Sequence, residues 1–167
     1  MTTNILLTSF ATWLPHQKSN SSDDLLIEIA KLESPSLTFV RQLPVNVFKA
    51  SRLVIDKIAE LQPDSLICCG MAESRTKLTV ESCATCGDAL IKTWVDLEKL
   101  VAEAAEIEIS HDAGKFVCEG LYYEVLKYLQ ERNLSTHCIF VHVPVLTQDN
   151  FPGIVADFHR IIHKMAG

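Results

Sequence analysis

The chain has 167 residues, a formal net charge of −6 and a hydrophobic share of 48%, enough for one domain over residues 1–167 with a sizeable core. Fifteen Lys+Arg against 21 Asp+Glu leave no basic footprint for nucleic acid or an anionic membrane. No apolar run reaches the ~18 residues of a membrane-spanning helix, and MTTNILLTSF lacks the basic start and small-residue cleavage site of a signal peptide. A cytoplasmic protein is expected, in which the six cysteines stay reduced and no disulfide framework is expected.

Short apolar runs and amphipathic stretches alternate along the chain. Asn4–Ser9 suits a buried strand, and 11–22 reads as a loop with Pro15 and several serines. Asp23 and Asp24 then open a helix to about Lys31. Ser36–Leu43 is strand-like and stopped by Pro44. Lys49–Leu61 has helical periodicity, and Ser65–Cys69 is a strand closed by Gly70. Residues 71–88 show only a weak strand alternation at Leu78, Val80 and Ser82. Asp96–Glu106 reads as a helix with an exposed acidic face, followed by a short strand at Ile107–Ser110. Phe116–Arg132 is an amphipathic helix, His137–Val143 a strand ended by Pro144, and a last helix follows the loop at 147–152 to about Met165. This alternation predicts an α/β layered domain with a mostly parallel sheet.

Several residues carry chemistry. Cys118 lies just inside the start of the Phe116–Arg132 helix, where the helix dipole and free N–H groups favour a thiolate and can hold an oxyanion. A buried helical cysteine is the alternative. His142 ends its strand, at the edge where parallel sheets gather functional groups, and could serve as the base. His111 is a rival base, while His137 begins its strand, at the wrong edge. Glu81 could orient the histidine as the third member of a triad, or be a surface acid. Cys83 and Cys86 have metal or redox spacing without a second pair, so no metal site is expected. His159 and His163 share a helix face without the acid of a metalloprotease motif and read as a solvated stripe. The scattered glycines form neither a phosphate loop nor a dinucleotide motif.

Taken in order, these segments resemble the cysteine-type pyroglutamyl peptidases (pyrrolidone-carboxylate peptidases). The segments concerned are NILLTSFATW, Gln42–Val45 with Phe48 and Ser51, and Pro63-Asp64 with Cys69–Arg75; Leu78–Glu81, Asp112–Cys118 and Phe140–Pro144 follow. The resemblance implies a single-domain, three-layer α/β/α sandwich around a mixed, mostly parallel sheet, with Cys118 as nucleophile, His142 as base and Glu81 as orienting acid. It also implies a substrate-binding set of Phe10, Trp13, Met71, Arg75 and Phe116. The implied activity is removal of N-terminal pyroglutamate through an acyl-enzyme, on a small peptide or amide with a blocked N-terminus, without a cofactor and in a chain that can be a homo-oligomer. The sequence departs from the family at Ser9, Ala11, Thr12, Leu14-Pro15, Met71, Ser74, Ser82 and Cys86. Between Cys86 and Ala89 it also lacks a family loop that carries part of the substrate pocket. An inactive relative that serves as a binding module, or an amidase or thioesterase for another small acyl group, are therefore the alternatives.

Overall fold

The computed structural model describes residues 2–104 and 106–167. In chain order the strands are β1 (Ile5–Phe10), β2 (Leu37–Leu43), β3 (Ser65–Met71), β4 (Leu78–Glu81), β5 (Cys83–Cys86), β6 (Ala89–Lys92), β7 (Ile107–Ser110) and β8 (His137–Val143). The helices are α1 (Ser21–Ala30), α2 (Val47–Leu61), α3 (Leu97–Val101), α4 (Val117–Glu131) and α5 (Phe151–Ala166). Among the described residues the main sheet has the order β2-β1-β3-β8-β4-β7. Its pairings are parallel except β4 against β8, so the expected mixed, mostly parallel sheet forms.

Several boundaries differ from the sequence reading, each for a local reason. α1 begins two residues before Asp23, because the Asn20 side chain accepts from Ser22 N and caps the helix there. α2 likewise starts at Val47 under an Asn46 cap and ends where Gln62 turns left-handed at φ 46°. β3 does not stop at Gly70: it continues to Met71, paired with Gly70↔His142 and Met71↔Val143. α3 is much shorter than the expected Asp96–Glu106. Asp96 caps it, but Ala102 leaves helical geometry at ψ 137° and Glu103 has φ 71°. Ala105, inside that expected span, lies outside the described residues. The acids beyond it diverge accordingly: Glu106 and Glu108 both meet Lys77.

Strand alternation sorts the core into two layers. Ile5, Leu7, Ile67, Ile139 and Val141 face α1, α3 and α5, packing with Leu25, Leu97, Ile154 and Phe158. Leu6, Leu66, Cys68, Cys138 and Phe140 face α2 and α4, packing with Val54, Ile58, Leu121 and Val125. The result is the expected three-layer sandwich. Each fully buried Leu, Ile or Phe of these layers contributes about 1.5–3 kcal/mol. The second layer holds the functional side chains, so its packing positions them.

Two tests follow from this packing. α4 crosses α2 at Gly120, where an added Cβ would lie 2.5 Å from Val47 Cγ2 and 3.0 Å from Cγ1. Val47 is β-branched and cannot rotate away cheaply. Gly120→Ala therefore loses about 1 kcal/mol net, overpacking outweighing the gain in helix propensity. A melting temperature unchanged or raised would refute that contact. Second, burial pushes the Cys69 and Cys138 thiols well above their ordinary value of 9.0. Above pH ~9 the unfolded chain releases these protons and the fold does not, so stability falls by about 1.4 kcal/mol per pH unit for each thiol. Denaturant titrations between pH 8 and 10.5 read the slope.

Candidate active site

The C-terminal ends of β3, β4 and β8 meet the start of α4, and the side chains singled out from sequence converge there. His142 is the sixth residue of β8 and Glu81 the last of β4. Because β4 runs antiparallel to β8, Glu81 pairs with Phe140 and Thr79 with His142. All four side chains therefore share the face covered by α2 and α4. His142 Nδ1 lies 2.8 Å from Glu81 Oε1, with both side chains buried. A carboxylate oxygen accepts, so Nδ1 is the donor in this contact and Nε2 is left facing away from the acid. The imidazole is further fixed by Phe140, whose ring centroid is 4.9 Å away.

Cys118 occupies the second position of α4. Its sulfur lies over the backbone of β3: a Cβ added at Gly70 would fall 2.5 Å from Sγ and 3.0 Å from Phe140 Cζ. Gly70 is the register partner of His142, and neighbouring strands are about 4.8 Å apart. The thiol thus sits one strand over from the histidine, on the same face. Glycine at position 70 leaves the space it fills. Burial pushes the Cys118 thiol up to about 12, and Cys68 and the Glu81 charge act in the same direction. The resting sulfur is a thiol, whose proton needs an acceptor before it can attack.

Two residues missed by the sequence reading anchor the arrangement. Tyr122 is one turn after Cys118, fully buried, and donates its hydroxyl to the Glu81 carbonyl at 2.9 Å. α4 is thereby bonded directly to the end of β4. Its i+4 spacing from Cys118 was the available signal. Gly70 is the other; it had been read as a strand stop.

The remaining expected site residues are dispersed. Phe10 is buried at 1% exposure among the side chains under α2 and α4, against which Val117 and Cys118 also pack. Trp13 is exposed, in a turn whose Gln17 and His16 reach Glu73 at 2.6 and 3.3 Å. Met71 is not brought beside Cys118, contrary to its expected place in the pocket. One residue past Gly70, alternation sends it to the other face, where its sulfur accepts from Ser21 N at 3.4 Å. Phe116, expected in the substrate-binding set, is 85% exposed, with extended backbone before α4. Arg75 meets the expected orienting acid through Nη2, which lies 3.2 Å from Glu81 Oε1 and donates to the Asp112 carbonyl at 2.9 Å. The rival base His111 turns to Ser82 instead, with Nδ1 2.7 Å from its hydroxyl.

Cys83 and Cys86 sit on β5, one buried and one exposed, and pair with Lys92 and Ala89 of β6. The segment thus closes as a hairpin through Gly87-Asp88, Gly87 having φ 58°. Among the described residues, no three His, Cys, Asp or Glu side chains come together as metal ligands. His159 and His163 line a cleft of ≈ 540 Å³ between α5 and the end of α3, far along the chain from Cys118.

A sequence profile described as pyroglutamyl peptidase matches residues 95–156. The pyrrolidone-carboxylate peptidase of Brachyspira hyodysenteriae is 30% identical over 156 residues, spanning 77% of this chain and 72% of that protein. That of a Thermoanaerobacter species is 29% identical over 131 residues, or 63% of this chain and 64% of the relative, so the chain spans less than two thirds of that relative's length. Pyroglutamyl peptidase I of Bacillus amyloliquefaciens superposes with a TM-score of 0.84 at 20% identity, covering 99% of this chain and 96% of the other. A mutant pyrrolidone carboxyl peptidase of Pyrococcus furiosus gives 0.82 at 18% identity, covering 98% and 97%. At these identities the two structures speak for the fold, and the Brachyspira relative carries the kinship in sequence. The chain belongs to the pyroglutamyl peptidase family.

Proposed function

We propose that the chain is a cysteine peptidase that removes N-terminal pyroglutamate from small peptides or amides. The observation that carries this reading is the buried Glu81–His142 pair on the sheet face that Cys118 covers. His142 Nε2 takes the Cys118 proton as sulfur bonds to the acyl carbon. It then returns that proton to the leaving amine, and water hydrolyses the acyl-enzyme. Glu81 holds the tautomer in which Nδ1 donates and Nε2 accepts, and balances the imidazolium that forms. The first N–H groups of α4 support the oxyanion, since Phe116 provides no side-chain cap to occupy them. Phe10 and Trp13 are the aromatic groups proposed for the pyrrolidone ring. All six cysteines are free thiols, which suits a cytoplasmic enzyme, and among the described residues no helix is long and apolar enough to cross a membrane.

A second reading, a relative that binds an acyl amide without turning it over, is favoured by the Cys118 thiol held up at about 12 and by the short hairpin in place of the family's substrate loop. Turnover of a chromogenic pyroglutamyl amide separates the two. The peptidase reading expects hydrolysis that falls by about 1,000-fold or more in both Cys118→Ala and His142→Ala. Folded protein with no turnover, or turnover that survives Cys118→Ala, defeats it. Alkylation of the resting enzyme by iodoacetamide adds a further expectation. Labelling of Cys118 is slow at pH 6 and climbs about tenfold per pH unit up to pH 9 or beyond, because the reactive thiolate is a small fraction throughout. Fast, pH-independent labelling contradicts a thiol held protonated by its burial.

A further inference from the structure

We propose that Arg75 is a positioning residue of the active site rather than a substrate ligand: a single guanidinium nitrogen joins the acid to the loop that delivers the nucleophile. This inference rests on the peptidase reading above. Nη2 donates a hydrogen bond to the Asp112 carbonyl at 2.9 Å and forms an ion pair with Glu81 Oε1 at 3.2 Å. Glu81 is wholly buried, and the same Oε1 receives His142 Nδ1. Its second oxygen, Oε2, is buried without a hydrogen-bond partner among the described residues. The guanidinium is therefore the cationic contact that compensates a carboxylate withdrawn from water.

The other end of the bridge is equally constrained. Asp112 organises the chain between β7 and α4: its N–H donates to Ser110 Oγ at 3.2 Å, and its Oδ1 accepts from Gly114 N at 2.9 Å. Gly114 has φ 90°, a conformation that favours glycine. Four residues further on lies Cys118. Arg75 is itself held by a turn, with Arg75 N donating to Ala72 O and Ala72 N to Val143 O, the residue after His142. Through its side chain Arg75 thus joins the end of β4 to the approach to α4, and through its backbone turn it is tied to the end of β8; these segments carry Glu81, Cys118 and His142. Nη2 is engaged with the protein itself, so Arg75 is assigned to holding the site together, in place of the substrate-binding role the family resemblance implied.

Arg75→Met and Arg75→Lys are compared with wild type on a fluorogenic pyroglutamyl amide. Arg75→Met is expected to lower kcat by about 100-fold, the scale of an ångström of misplacement, with KM within about twofold. Arg75→Lys restores the charge but not the two-sided contact and recovers kcat only in part. The Nδ1–H resonance of His142, followed by NMR with ¹⁵N-labelled histidine, is expected to move and exchange faster in Arg75→Met. A wild-type kcat in Arg75→Met overturns the proposal, as does a raised KM at unchanged kcat, which marks a substrate contact. Should wild type turn over no pyroglutamyl amide, the peptidase reading fails while the imidazole resonance still decides Arg75, an unchanged signal counting against it. If the Met variant does not fold, the Lys variant carries both readouts, and full wild-type kcat with an unmoved resonance there overturns the proposal.

Discussion

A carboxylate removed from water must be met by partners that replace its hydration, or the fold that contains it is destabilised by several kcal/mol. Glu81 is such a group, and its partners determine how three chain segments come together. Oε1 meets His142 and Arg75, and the main-chain carbonyl meets Tyr122. β8 is fixed against β4 through the first contact, the β3–β4 turn through the second and α4 through the third. Cys118 lies one turn before Tyr122, so the position of the sulfur follows from hydrogen bonds to a residue it need not touch.

The antiparallel pairing of β4 with β8 makes this possible. In an all-parallel sheet the last residues of neighbouring strands point their side chains out of the same edge. Here β4 enters from the opposite direction, so Glu81 falls opposite Phe140 and reaches back towards His142 from inside the sheet. The acid is consequently buried, while Trp13 and Phe116, on the loops around the site, are exposed. The β5–β6 hairpin follows directly from Glu81 and packs on α4, so the shortened segment still closes the layer above the sheet.

Much of this was legible from residue patterns. The buried strands Ile5–Phe10, Ser65–Met71 and His137–Val143 stand out as apolar runs, and α4 as an amphipathic repeat, because burial dictates both. Glu81 and His142 were legible as a pair only through their motifs, since no local pattern brings residues 61 positions apart to 2.8 Å. The Asn20 and Asn46 caps moved helix starts that the apolar pattern alone set too late. Ala102 and Glu103 leave helical geometry and end a helix that the spacing of Leu97, Leu100, Val101 and Ala104 would prolong. The place of Met71 was not legible, because the expected strand ended at Gly70 and a single extra strand residue reverses the face. The bridge made by Arg75 depends on a backbone carbonyl, and backbone acceptors leave no trace in residue identity.

The bare Cα of Gly70, over which the Cys118 sulfur rests, makes this site vulnerable from an unexpected quarter. Every reactive atom can be present and correctly ionised, and one additional methyl group on the floor beneath them would still displace the sulfur. Within such a family, silence of the chemistry need not be recorded in the reactive residues at all; it can be recorded in the residue on which they stand.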